Sequence, residues 1–255
     1  MIESAKQRWF DAERAGERYA SLAHGMNGLY AEALGSVDPT SPKARSDLRI
    51  AIYQLAQSFV AGEQAFIDDG LTVAAHQGLA DALEALGLGE TTAPDLPEPV
   101  SELLSATGEH LRAEIVMQIE RDVLAVEKRL RDLALKVNVM TRASDISKRA
   151  AIIRAQIKDR GSVEFSFVDR AGRRWPSQRY ISTVWRQHLL NVHVETTLHV
   201  FAERGAQAVE VVHPDPKSAK NGLMFGLVGQ HDLPGLDEIR DDVFHPNSQV
   251  WLRPL

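Results

Sequence analysis

The chain contains no cysteine. That excludes disulfides, zinc sites with thiolate ligands and cysteine nucleophiles, and it fits a reducing compartment. No segment reaches the ~18 continuous apolar residues of a membrane span. Met1 to Arg18 mixes acids with bases and lacks the apolar stretch of a secretory signal. There is no internal repeat and no low-complexity tract. The expectation is a soluble intracellular protein, or one released by lysis, with no membrane span.

What is present is ordinary globular material. The 255 residues are 44% apolar and 25% charged, enough for a real core and for one or two domains. The formal net charge of −6 is unevenly spread. Residues 1–111 sum to −10, residues 112–186 to +8 and residues 187–255 to −4. A basic middle between acidic ends suggests an anionic partner. The plainer account is a long helix with a solvated face.

The first two thirds read as helical. Phe10, Tyr19, Leu22, Met26, Leu29, Tyr30 and Ala33 recur at three- and four-residue steps. Gly35 to Pro42 is a break, and Ser41-Pro42 suits an N-cap followed by proline at the first helical position. The next face is Leu48, Ile52, Leu55, Phe59 and Phe66. Asp68-Asp69-Gly70 is expected to end that helix, with another over 71–87. Pro94, Pro97 and Pro99 mark a linker at about 88–100. From Val100 to Asp159, with a break near Thr141–Ser144, Leu111, Ile115, Ile119, Val123, Val126, Leu130, Leu133 and Val137 form a narrow stripe. Such a stripe suits packing on another helix or another subunit.

At Gly161 the texture changes. Val163–Val168 alternates like a strand, Asp169–Gly172 reads as a turn, and Ser177–Arg204 as a helix with Gly205 at its C′ position. Ala208–Val212 is a strand stopped by His213-Pro214. A glycine-bearing stretch holds Gly222, Gly226, Gly229 and Gly235, and Gln249–Leu252 is a short terminal strand. The expected fold class is α+β: a helical arm or bundle over 1–160, then a small mixed α/β module over 161–255.

Few residues point to chemistry. His188, His193 and His199 share one helix. His188 and His199 lie about 16 Å apart along its axis, too far for one ion, so no metal site and no cofactor is expected. Arg186 with Glu195 resembles an ADP-ribosyltransferase pair, and His213, His231 or His245 could serve a nuclease as acid and base. Structural salt bridges and solvated histidines explain the same residues. The glycines at 222, 226 and 229 lack the features of a nucleotide loop. Arg170, Arg173, Arg174, Arg179 and Arg186, with Trp175 and Tyr180 as stacking surfaces, form a candidate contact for nucleic acid or for an acidic protein.

The order of features from Val163 to Leu255 resembles the C-terminal module of tailed-phage minor capsid proteins, also called head morphogenesis proteins. The matching pieces are the strand Val163–Val168, Gly172-Arg173-Arg174-Trp175, the helix carrying Arg179-Tyr180 to Arg186, Gly205 with Val209–Val212, the glycine-bearing loop, and Phe244-His245-Pro246-Asn247-Ser248 followed by Trp251-Leu252-Arg253-Pro254. Many members carry cysteine after His-Pro-Asn. Here Ser248 stands in its place, so any metal or disulfide role is lost, and His245, Pro246 and Asn247 are left as a structural motif. The resemblance implies a non-enzymatic virion protein of the capsid interior or portal vertex, present in host cytoplasm during assembly. It would help head assembly or DNA packaging and delivery. Its partners would be the portal protein, the major capsid protein and packaged DNA, with several copies per assembly. The alternative is a phage-borne effector enzyme.

Overall fold

A computed structural model describes residues 2–35, 41–88, 95–142, 145–160, 162–227 and 233–255, with side chains described except at 2 and 156–160. Several expectations fall outside these residues: the centre of the break at 36–40, the linker at 89–94, Ser144, Gly161, Gly229 and His231. The fold is α+β. Long helices come first: α1 (Ile2–Leu34), α2 (Pro42–Ala85), α3 (Glu98–Met140) and α4 (Ile146–Arg160). A hairpin of β1 (Ser166–Val168) and β2 (Arg174–Pro176) precedes α5 (Ser177–Glu203). Then come β3 (Ala208–Val212), β4 (Met224–Gly226), α6 (Leu236–Val243) and β5 (Trp251–Pro254). The last three strands form an antiparallel sheet in the order β4-β3-β5. Among the described residues, no helix is long and apolar enough to cross a membrane.

The chain divides into two compact units, each assembled from separated stretches. The first comprises Met1–Arg14, Gln64–Arg112 and Ser182–Leu255, the second Ala15–Glu63 and Ala113–Ile181. In the first unit Leu190, Val194, Leu198 and Phe201 of α5 pack on Val209 and Val211 of β3, Phe225, Val243, Phe244 and Leu252. Alternation explains the strand: Val209 and Val211 face this core while Glu210 pairs with Arg253 across the sheet. In the second unit Tyr19, Leu22, Met26 and Tyr30 of α1 are buried, as are Leu48 and Ile52 of α2. The Tyr19 ring meets Phe59 edge-on at 5.9 Å.

Three expectations need correction, and that for the Leu111–Val137 stripe is narrowed. Helix α2 runs through Asp68-Asp69-Gly70 without a break. Gly70 is there for close packing: a Cβ would come 3.1 Å from the Trp185 ring. Phe10 and Phe66 face solvent at 55% and 45% exposure, not the core. All eight residues of the Leu111–Val137 stripe are buried within the chain itself, so they are not free to dock on a partner. Finally, the glycine-bearing stretch contains β4 and leads into α6. Gly235 opens α6, and its N–H donates to Glu238 Oε1 at 3.0 Å. Leu236, Ile239 and Val243 then place one apolar face on the core.

Helix ends follow local chemistry. Ser41 Oγ accepts the Ala44 N–H at 3.1 Å, the cap its position suggested. Gly205, at φ +85, closes α5, with Ala206 N donating to Phe201 O and Gly205 N to Ala202 O. Gly87, at φ +70, closes α2 in the same way.

Candidate functional site

Two places gather the residues singled out above. In the second unit, Asp169 organises the β1–β2 hairpin. Its Oδ1 accepts the N–H groups of Ala171 (3.0 Å) and Arg173 (2.8 Å). Its Oδ2 accepts Arg173 Nε (2.7 Å) and Trp175 Nε1 (3.1 Å). Desolvation pushes this carboxyl up, but the Arg173 and Trp175 donors together outweigh it and hold it at about 2. Gly172, at φ +76, makes the turn possible. The hairpin therefore displays a fixed basic face. Arg170, Arg173, Arg174 and Arg179 are exposed, and half-buried Trp175 has Arg179 at 4.9 Å and Arg173 at 5.6 Å from its ring. Tyr180 is less available for stacking: its ring already lies on Phe167 at 4.3 Å.

This hairpin has a rigid base. Ser177 opens α5 with its N–H donated to Phe165 O at 3.2 Å. Its hydroxyl donates to Asp122 Oδ1 at 2.9 Å, where Gln118 also donates at 3.0 Å. Tyr19 donates to Asp122 Oδ2 at 2.7 Å. All four residues are buried. Burial raises the Asp122 carboxyl although these three donors oppose it. Burial, then the Asp122 charge, pushes the Tyr19 phenol far above its usual range.

Arg186 is not part of the basic face. It lies in the first unit, with its guanidinium 3.9 Å from the Trp9 ring and Nη1 donating to Asn247 Oδ1 at 3.0 Å. That contact belongs to the second place, the turn at His245, Pro246 and Asn247. Ser248 N donates to His245 O at 2.7 Å, closing the turn. Asn247 N donates to His245 Nδ1 at 3.2 Å, and Lys220 Nζ stands 2.7 Å from His245 Nε2. Burial first, then the Lys220 charge, lowers the His245 imidazole, and a neutral ring has one acceptor nitrogen, open either to the Asn247 N–H or to the Lys220 ammonium. Gln187 Nε2 donates to Phe244 O at 3.0 Å. The motif thus ties the strand β5 region to α5 through Arg186 and Gln187. Ser248 is buried, and its hydroxyl has no hydrogen-bond partner among the described residues.

The pairs suggested for catalysis have other occupations. Arg186 and Glu195 are nine residues apart on α5, about 180° around the helix, and Glu195 pairs with Arg240. His213 Nδ1 accepts the Asp215 N–H at 3.0 Å within its own loop.

Sequence reasoning missed two histidine arrangements. His188 is buried, and its ring meets His110 of α3 edge-on at 5.3 Å. Glu114 follows one helical turn after His110. Imidazole and carboxylate are the donor types of divalent transition metals. The other is His193, whose Nε2 lies 2.9 Å from Asp81 Oδ2 with both residues buried. Ser4 Oγ donates to the other Asp81 oxygen at 3.3 Å. Burial, then the Arg8 charge, lowers His193 to about 4, so it is neutral and donates through Nε2. Helical spacing within α5 gave no signal for either, because each partner comes from a distant helix. Comparison with protein-family models, with curated proteins and with solved structures found no match to this chain.

Proposed function

We propose that the chain is a non-enzymatic virion structural protein, a phage minor capsid or head morphogenesis protein acting at the portal and capsid interior. The observation that supports it is an apolar stripe on the solvent side of α3. Met117, Leu124, Leu135 and Val139 are exposed at 45%, 60%, 58% and 84%. Their spacings of seven, eleven and four place them within about 60° of one another around the helix. Exposed Arg121, Lys128, Arg131 and Lys136 flank them, together with exposed Glu120 and Asp132. Aligned, solvent-facing apolar residues mark a protein–protein contact, and the mixed charges beside them suit its polar rim. The stripe that packs the core and the stripe that meets a partner are therefore opposite faces of one helix. The hairpin arginines add a surface suited to packaged DNA. The order of motifs from Val163 to Leu255 supplies the family, and the portal and major capsid proteins are the partners it implies.

The experiment is mass spectrometry of purified particles assembled with the wild-type chain or with Leu124→Glu/Leu135→Glu. The wild type is expected in particles in several copies. The variant is expected to fold, by circular dichroism, and to be incorporated at least tenfold less. Absence of the wild type from particles, or equal incorporation of the variant, overturns the reading. Toxicity on expression that Glu195→Gln abolishes in a folded protein would point to the effector enzyme.

A further inference from the structure

The histidines of α5 are placed too far apart on their helix to share an ion among themselves. A second imidazole comes instead from α3. His110 and His188 both belong to the first unit. Their rings meet at 5.3 Å with an interplanar angle of 63°, and a ring nitrogen of each lies within 4.8 Å of the other. Helix α3 runs without interruption through His110 and Glu114. Residues four apart share a helical face, and a Glu114 carboxylate oxygen lies within 4.8 Å of the same His110 nitrogen.

The donor set narrows what these groups would hold. Imidazole nitrogen suits zinc and its first-row neighbours, whereas magnesium and calcium take oxygen ligands. Two histidines and one glutamate are three protein ligands, the number that leaves zinc a position for water. An ion with ligands at about 2.0–2.2 Å needs donor atoms about 3.3–3.6 Å apart. His110 is exposed and Glu114 half-buried, so both side chains can turn to close the remaining gap. His188 is buried and supplies the anchored ligand. The exposed His110 side also gives the ion its entry path. Elsewhere on α5, His199 and Glu203 stand four apart with 3.2 Å between them. No third histidine or carboxylate joins that pair among the described residues, which makes it an internal control.

We propose that His110, Glu114 and His188 bind one divalent transition ion of the zinc class, with water in the remaining position. The ion ties α5 to α3 at His110. The site uses neither the hairpin nor the outer stripe of α3, so it does not rest on the virion reading.

The test is calorimetric titration of the full chain, first stripped with a chelator, with zinc chloride and with magnesium chloride, and imidazole NMR to locate the ion. Zinc is expected to bind one-to-one with micromolar or tighter affinity and to shift the ring signals of His110 and His188. Magnesium should bind at least tenfold more weakly. His110→Ala and Glu114→Gln, both on the accessible side, should each weaken zinc at least tenfold while circular dichroism stays that of the wild type. His199→Ala should leave the affinity unchanged. Zinc at a hundredfold excess over its Kd should raise Tm by about 5–10 °C, and His110→Ala should abolish the rise. Absence of saturable zinc binding below millimolar concentration overturns the inference. So does affinity unchanged in both His110→Ala and Glu114→Gln, an equal loss in His199→Ala, or ring shifts confined to other histidines.

Discussion

At the scale of single residues, the sharpest consequence comes from His193. It is buried beside Asp81 and Arg8, and its imidazole sits at about 4 against an ordinary 6.5. The folded state therefore binds this proton less readily than the unfolded chain does. The stability it contributes is complete above pH 6.5 and is lost as pH falls towards 4, by up to about 3 kcal/mol. Asp81, pushed up by burial but held below its ordinary value by the His193 hydrogen bond, adds loss in the same direction at still lower pH. Asp122, raised by burial, works in the opposite sense there. Urea unfolding at pH 7.5 and pH 4.5 is expected to show the drop. His193→Gln, which keeps a donor for Asp81, should flatten it and leave the shallower contribution of His245. A wild-type curve that is flat between these pH values would rule out the buried neutral histidine.

At the scale of elements, glycine in α2 illustrates how one residue type does different things. Asp68-Asp69-Gly70 looks like a stop, yet the helix continues, because tertiary packing outweighs a local propensity of about 1 kcal/mol. Gly78 shows the reason most clearly. A Cβ there would lie 2.5 Å from the His193 carbonyl oxygen, so α2 and α5 approach as closely as they do only without a side chain. Gly62, in the same helix, has nothing within 4 Å of an added Cβ. Gly78→Ala is expected to destabilise by about 2–3 kcal/mol. Gly62→Ala should stabilise by about 0.5–1 kcal/mol. Thermal melts of the two single variants check both signs, and equal effects would mean that packing does not distinguish them.

At the scale of the whole molecule, charge separates with the compact units. The first unit holds 10 Lys+Arg and 21 Asp+Glu, the second 19 and 14, giving net charges of −11 and +5. The hairpin and the outer face of α3 are both in the positive unit. If the hairpin meets duplex DNA through phosphates, affinity should fall steeply with salt, with each phosphate contact adding about 0.9 to the log–log slope. Arg170→Gln/Arg173→Gln/Arg174→Gln/Arg179→Gln should lower that slope by about 2–4 in fluorescence anisotropy titrations. An unchanged slope would remove DNA from the partners of this surface.

Legible in the chain alone were the α+β class, the caps at Ser41 and Gly205, the strand and turn leading through Asp169–Gly172, and the stripe from Leu111 to Val137. All of these depend on interactions within a few residues or on a helical or strand period, and both are local. Sequence order also brought the basic hairpin residues together, since they are neighbours in the chain. Other features were legible after the fact: Gly235 with Glu238 three residues on, and Leu236, Ile239 and Val243 at helical spacing, carry the signal for α6. Packing between distant segments alone shows that the Leu111–Val137 stripe is consumed by the chain's own core while Leu124 and Leu135 face outward. It alone separated Arg186 from the other arginines, joined His193 to Asp81, and set His110 beside His188. Periodicity states that a face is apolar, and residue type states that a group is charged. Which distant helix covers the face or answers the charge depends on packing between segments far apart in sequence, and no local pattern encodes that choice.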